Sequence, residues 1–246
     1  MNRRRFLALA IAAAALPANG QDVLREQRLK AEVLASLVVG DAVRIVLPTG
    51  EGFLGLYTKG RAGQPGVVLV HGAGVHPDHG VIGIVRVALA DRGFTTLSIQ
   101  MPVLAADART EDYLPLFPEA AQRIAAAADW LEAKSQAPIV ILSHSLGAAM
   151  TESYLRSAKA APFAAWICMG RSGALSLPAR PLPILDVYGQ HDLPLVLRHA
   201  EERRRVLVSI SGSRQIVIAG ADHFYTGKEV ELTDALVPFI EAAGRR

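Results

Sequence analysis

Residues 141–150 read Ile141-Leu142-Ser143-His144-Ser145-Leu146-Gly147-Ala148-Ala149-Met150, and the fold turns on how this stretch is read. It continues an apolar run of Pro138, Ile139 and Val140, and small residues follow its serines. A short apolar run without alternation is the pattern of a strand buried on both faces. Leu146 onward, to Lys159, has a helical pattern. The stretch therefore predicts a strand, a sharp turn with Ser145 at its tip, and a helix.

Outward from it, the same texture repeats. Apolar runs at Val67–Val70, Thr95–Ile99, Ile139–Leu142, Ala164–Met169, Ile184–Tyr188 and Gln215–Ile218 each lead toward a glycine or a turn cluster. Helical patterns fall between them, at Val81–Arg92, Pro118–Lys134, Leu146–Lys159 and about Leu195–Val208, and Glu229–Ala243 closes the chain. Upstream, Asp22–Val39 is amphipathic, and Ala42–Leu47 with Gly52–Tyr57 flank the turn residues Pro48-Thr49-Gly50-Glu51 as a hairpin. The expected class is α/β: a mostly parallel sheet with an N-terminal antiparallel hairpin, helices on both faces and no large lid domain. No linker or fixed-period repeat divides residues 21–246, which are read as one domain.

In open α/β sheets the chemistry lies beyond the carboxyl ends of the strands. Those positions hold His71-Gly72-Ala73-Gly74, Gln100-Met101-Pro102, Ser143-His144-Ser145, Gly189-Gln190-His191-Asp192 and Gly220-Ala221-Asp222-His223. A serine hydroxyl is a weak nucleophile that needs a base, itself oriented by an acid. Ser145, Asp192 and His223 supply the three types in the order Ser, Asp, His. Glycines in His71-Gly72-Ala73-Gly74 free backbone amides to face a substrate oxygen, so the expected oxyanion donors are the N–H groups of Ala73 and Leu146. His71, Gly72, Gly74, Ser143, His144 and Gly147 are supporting residues. His144 is expected to point away from Ser145, His191 to rim the pocket, and His199 to be solvated.

These motifs carry a resemblance. HGAG, SHSLG, YGQHD and ADHF resemble those of the α/β-hydrolase superfamily, in its order and over nearly everything after Ala42. More narrowly, VVLVHGAGVHPDHGVIGIVRVALADRGFTTLSIQMP resembles a group of exported proteobacterial members with no assigned substrate. The resemblance implies the α/β-hydrolase fold and a hydrolase-like site. One position departs from it: Ser143 stands where G-x-S-x-G has its first glycine, so the strain of the turn is less assured than with two glycines. Asp186 is the alternative acid, or else a buried hydrogen-bonding centre, since a carboxylate inside a buried strand needs partners.

Charge and targeting bound the function class. Met1-Asn2-Arg3-Arg4-Arg5 is basic, Phe6–Leu16 is apolar, and Pro17-Ala18-Asn19-Gly20 is small at its end. Residues 1–20 are read as an export signal, of Sec or twin-arginine type, which leaves no stable membrane span and predicts a periplasmic or secreted protein. The three arginines there account for the whole excess of 26 basic over 23 acidic residues, so no nucleic-acid surface is supported. Cys168, the only cysteine, lies in an apolar run and is read as a buried thiol.

The pattern Glu201-Glu202-Arg203-Arg204-Arg205 reads as a solvated helix face. His71, His76, Asp78 and His79 form a polar loop without a closing set of cysteines or carboxylates, so no metal is expected, and no cofactor is implied. The interval Gly170–Pro183 is short where many members of the resembled superfamily insert a helical lid, so the resemblance implies an open site, and Val103–Pro118 is a candidate pocket rim. The expected function is hydrolysis of an ester or amide through an acyl-enzyme, on a small-molecule or envelope-associated acyl substrate. Acyl transfer by the same residues, or a catalytically silent binding module on this fold, are the alternatives. The oligomeric state is not encoded in any of these patterns.

Overall fold

The alternation of apolar runs and helical patterns becomes a single sheet in a computed structural model, which describes residues 20–134, 137–158 and 161–245. The expected leader, residues 1–20, lies outside the described residues apart from Gly20. In chain order the elements are α1 (Val23–Ser36), β1 (Asp41–Val46), β2 (Gly52–Thr58), β3 (Gly66–Val70), α2 (Gly80–Asp91), β4 (Thr95–Ile99), α3 (Phe117–Glu132) and β5 (Ile139–His144). Then follow α4 (Leu146–Ser157), β6 (Phe163–Met169), β7 (Ile184–Gly189), α5 (Pro194–Arg198), α6 (Ala200–Val208), β8 (Arg214–Ile218) and α7 (Glu229–Gly244).

The eight strands lie in the order β1-β2-β4-β3-β5-β6-β7-β8. β1 and β2 pair antiparallel, as do β2 and β4, and the remaining pairs are parallel. Consecutive residues of the central strands feed opposite faces. Val68, Val70, Ile139 and Ile141 pack with α3 and α4, while Val67, Leu69, Val140 and Leu142 pack with α2 and α7. Both faces are covered, so these strands need no polar alternation.

Three expectations are corrected. β8 is not buried on both faces: it is a sheet edge, only Ile218 is buried, and Val217 is 48% exposed. The pattern Leu195–Val208 is two helices, broken at His199 (φ −95°, ψ 1°). Arg203 is not solvated like its neighbours Arg204 and Arg205 but fully buried, its Nε 2.8 Å from Asp186 Oδ2 on β7. One charge of this helix is thus half of a core ion pair, which the run of like residues conceals.

Between β4 and α3 the chain runs through a 3-10 turn, Thr110–Leu116, that buries Tyr113 and Leu116. The interval after β6 carries no helix, and it is tied down. Arg171 donates to Glu152 of α4 at 2.6 Å, Ser176 N–H bonds the same carboxylate, and Ala179 N–H reaches Leu155 O at 2.8 Å. Among the described residues no helix is long and apolar enough to cross a membrane.

Candidate active site

β5 ends at His144, and the next residue takes a backbone that side chains avoid. Ser145 has φ 55° and ψ −123°, one of only two non-glycine residues with positive φ among those described. Such strain costs about 1–3 kcal/mol and persists only where its surroundings fix it. Here Ser145 N–H is held by Met169 O at 2.9 Å, and α4 begins at once with Leu146. Gly147 is required by crowding, since a Cβ there would come within 2.3 Å of His71 O.

Ser143, two residues before the tip, does more than fit. Its Oγ accepts the indole N–H of the fully buried Trp166 at 2.8 Å. The hydroxymethyl group that replaces a glycine therefore satisfies a donor that would otherwise be orphaned in the core. Nothing local in sequence signals this bond, which joins residues 23 apart on adjacent strands.

The loops after β7 and β8 bring the expected acid and base to Ser145. His223 Nε2 is 3.0 Å from Ser145 Oγ, and His223 Nδ1 is 2.6 Å from Asp192 Oδ1. Asp192 is oriented in turn by Gly189 N–H on Oδ2 at 3.0 Å and Leu193 N–H on Oδ1 at 2.8 Å. Burial pushes the Asp192 carboxyl up, but its bonds to His223, Gly189 and Leu193 outweigh that and hold it below the ordinary carboxylate value. Gly189 and Gly170 make room: a Cβ on the first would meet Ala221 O at 2.5 Å, and on the second the His223 ring at 2.9 Å. Asp222, beside the base, caps the turn by accepting the N–H groups of Phe224 and Thr226.

The loop after β3 lies against the serine, for a Cβ on Gly72 would sit 3.3 Å from Ser145 Cβ. His71 sets its shape. Its Nε2 accepts Met101 N–H at 2.9 Å, so the proton is on Nδ1, which donates to Gly72 O at 2.8 Å. Gly72 C=O and Ala73 N–H belong to one planar peptide and point in opposite directions. The bond to Gly72 O therefore fixes the plane of the peptide that also carries the Ala73 N–H. Burial lowers the His71 pKa to about 3, which keeps the ring neutral and the tautomer fixed. Leu146 N–H is in the first turn of α4, where helix amides lack intrahelical acceptors.

His144 is not loose beside the serine. Buried, it donates from Nε2 to the backbone carbonyl of His223 at 2.9 Å, with ring centroids 4.8 Å apart. Burial and the adjacent His223 lower its pKa to about 4. Asp186, the alternative acid, is engaged elsewhere, by Arg203 at 2.8 Å and Gln215 Nε2 at 2.7 Å. His191 is exposed and His199 pairs with Glu202 at 2.9 Å. Asp78 is bound by Arg86 at 2.6 Å, and among the described residues no group of three or more His, Cys, Asp or Glu is placed to hold a metal. Cys168 is a buried thiol whose pKa is raised by desolvation.

Sequence reasoning missed Arg25. From α1 it donates to Gly74 O and to Leu104 O, both at 2.7 Å. An arginine on the exposed-looking part of an amphipathic helix carries no signal of that contact. Phe224 and Leu193, the residues after the base and the acid, are apolar and exposed by 59% and 45%.

No family model matches the sequence, and no protein of curated function is detectably similar to it. Solved structures are similar in shape. Dienelactone hydrolase from Anabaena variabilis is 19% identical with a TM-score of 0.66, over 81% of this chain and 95% of that one. Est1E from Butyrivibrio proteoclasticus, with ferulic acid bound, is 15% identical with a TM-score of 0.65, over 83% and 100%. An α/β serine hydrolase homologue from Coxiella burnetii is 18% identical with a TM-score of 0.57, over 82% and 98%. With the strand order and strand directions above, these likenesses establish that the chain has the α/β-hydrolase fold.

Proposed function

We propose that the protein is a serine hydrolase of carboxylic esters, working through an acyl-enzyme. The observation that carries this reading is the strained Ser145, with its Oγ 3.0 Å from His223 Nε2 and His223 Nδ1 2.6 Å from Asp192. Ser145 Oγ attacks the ester carbonyl carbon while His223 Nε2 takes the hydroxyl proton. Asp192 keeps the ring oriented and stabilises the imidazolium. The carbonyl oxygen becomes an oxyanion facing the N–H groups of Ala73 and Leu146. Collapse breaks the bond to the alcohol, which leaves with the proton from His223. Water then adds to the acyl-enzyme, giving its proton to His223, and the second collapse releases the acid and returns the proton to Ser145.

The esterases among the structural neighbours support an ester over an amide. The lidless interval after β6 and the exposed Phe224 and Leu193 support a substrate with an apolar part that is not sealed from water, small or envelope-associated. Export by the leader at residues 1–20 is part of the same proposal, in line with the exported group that residues 67–102 resemble. Amino-terminal sequencing of periplasmic material tests it: a mature start near Gln21 supports export, and an intact Met1 in the cytoplasmic fraction overturns it.

Activity-based labelling tests the chemistry. A fluorophosphonate probe is expected to label the folded protein at Ser145, with labelling lost in Ser145→Ala. Folded protein that takes no probe and turns over no member of an acyl-ester panel overturns the enzyme reading in favour of a binding module. Labelling with product formed only when an alcohol or amine acceptor is present would redirect it to acyl transfer.

A further inference from the structure

The loop that carries Ala73 is anchored twice, from opposite sides. Inside, His71 Nδ1 holds Gly72 O at 2.8 Å. Outside, Arg25 Nη2 holds Gly74 O at 2.7 Å while Nη1 of the same guanidinium holds Leu104 O, also at 2.7 Å. Ala73 is the residue between the two anchored glycines. Gly74 needs such an anchor, because its φ of +66° is the point where the loop reverses, and a glycine there has more backbone freedom than any other residue. A planar guanidinium bonded to two carbonyls locks both in direction as well as distance.

The helix that delivers Arg25 is itself docked on the loop after β4. Asp22 N–H bonds Val103 O at 2.8 Å, and the Asp22 side chain caps the helix by accepting Arg25 N–H at 2.8 Å. Glu26, one residue on, is held by the buried Arg123, which also donates to Gln100 O at 3.0 Å. Gln100 closes the circuit, its Nε2 reaching His71 Nε2 at 3.2 Å and Val75 O at 3.3 Å. Apart from the bond that Gln21 Nε2 donates to Glu26 at 2.7 Å, these polar ties from the start of α1 end on the loop after β3, the loop after β4, or Arg123, which braces it.

We infer that α1 is a strap that sets the oxyanion loop, and that Arg25 is a positioning residue for the Ala73 N–H. This rests on the reading of Ala73 as an oxyanion donor. Arg25 touches no reacting atom. Its effect is on rate at fixed binding, because a donor aimed at the developing oxyanion matters more in the transition state than in the ground state.

The test compares Arg25→Met and Arg25→Ala with Arg28→Met, an exposed control on the same helix. Displacing a positioned donor by a fraction of an ångström lowers turnover by about 10- to 100-fold. Arg25→Met is expected to lose about that much kcat and fluorophosphonate labelling rate, with KM changed less than about threefold. Arg28→Met is expected to match the parent protein. Methylguanidine at millimolar concentration should restore part of the rate to Arg25→Ala and none to Arg28→Met. Hydrogen exchange supplies a readout independent of activity: amides of residues 72–75 should exchange faster in Arg25→Met while those of β5 and β6 do not. Variants with parental kcat, or with kcat lowered only in proportion to the folded fraction, overturn the inference, as does unchanged exchange at residues 72–75. A parent protein that neither labels nor turns over while exchange responds to Arg25→Met would overturn the enzyme reading and leave the strap standing.

Discussion

Two buried carboxylates sit on one strand and the loop that follows it, and they do opposite things. Asp186 lies inside β7, fully buried, and is bound to Arg203 and Gln215. Asp192 lies just past the end of β7, 5% exposed, and is bound to His223. Burial dominates at Asp186 and raises its pKa despite Arg203, whereas hydrogen bonds win at Asp192 and lower it. The partner makes the difference: a guanidinium keeps its proton in any accessible pH range, while an imidazole can give one up and take it back. A carboxylate on Arg203 fixes structure, and one on His223 can serve proton transfer.

The same division recurs on two other strands. Ser143 and His144 are inside β5 and are spent on Trp166 and the His223 carbonyl, while Ser145, one step beyond, is strained toward the open end. Gln215 is inside β8 and bonds Asp186, while His223 lies past its end. Within a covered sheet most polar side chains find a permanent partner, the buried Thr96 hydroxyl on β4 being an exception. Only past the carboxyl ends does the fold leave a side chain free to meet a substrate.

Neutralising each acid in turn separates the two roles. Asp192→Asn is expected to lower kcat by about three to four orders of magnitude, because the amide no longer holds the imidazole in the working tautomer. Its thermal unfolding should change little by comparison. If Asp186→Asn produced that loss of kcat while Asp192→Asn spared it, the assignment of the two acids would be reversed.

Asp186→Asn is expected to act on stability. It leaves the guanidinium of Arg203 buried without a counter-charge, at a cost of about 3–5 kcal/mol in urea unfolding, with kcat per folded molecule within about threefold of the parent. Replacing the pair together, Asp186→Leu with Arg203→Met, should recover most of that loss, since an apolar pair of similar volume is often as stable as a buried ion pair. A double variant no better than the single one would mean that the bonds from Arg203 Nη1 to Arg171 O and Val196 O, rather than the ion pair, hold this region.

How far the sequence carried the reading follows from the same physics. Central strands were legible because Val67–Val70 or Ile139–Leu142 must be apolar throughout to be covered on both faces, and Ser145, Asp192 and His223 follow the ends of the runs Ile139–Leu142, Ile184–Tyr188 and Gln215–Ile218. What was not legible depended on contacts between distant residues. Of three consecutive arginines only Arg203 turns inward, and composition is identical whichever does. The reach of Arg25 to Gly74 spans 49 positions, and no local pattern encodes it. Ser143 read as a flawed glycine because its partner, Trp166, is on the next strand.

That reading of Ser143 gives the third prediction. Ser143→Gly restores the G-x-S-x-G pattern yet removes the acceptor of a buried indole N–H. The variant is expected to be less stable by about 1–3 kcal/mol, the penalty of an unsatisfied buried donor, measured by urea unfolding. Ser143→Ala should cost a similar amount. A glycine variant more stable than the parent would mean that the side chain at 143 is a steric burden on the turn rather than a partner for Trp166.

The smallest effect concerns His144, inside β5. His144 has its pKa lowered from 6.5 to about 4, by burial first and then by His223. Between those values an unfolded chain binds a proton at this position and the folded chain does not. Stability therefore falls as the pH drops below 6.5, with a slope approaching ~1.4 kcal/mol per pH unit, and levels off for this group once the folded ring protonates near pH 4. His71, lowered to about 3 by burial, adds a second contribution of the same sign. His144→Gln keeps an N–H donor for the His223 carbonyl and cannot titrate. Relative to its own stability at about pH 7.5, it should lose about 1.4 kcal/mol less than the parent by about pH 5.5. Parallel stability curves for the two proteins would mean that His144 is not held neutral in the folded chain.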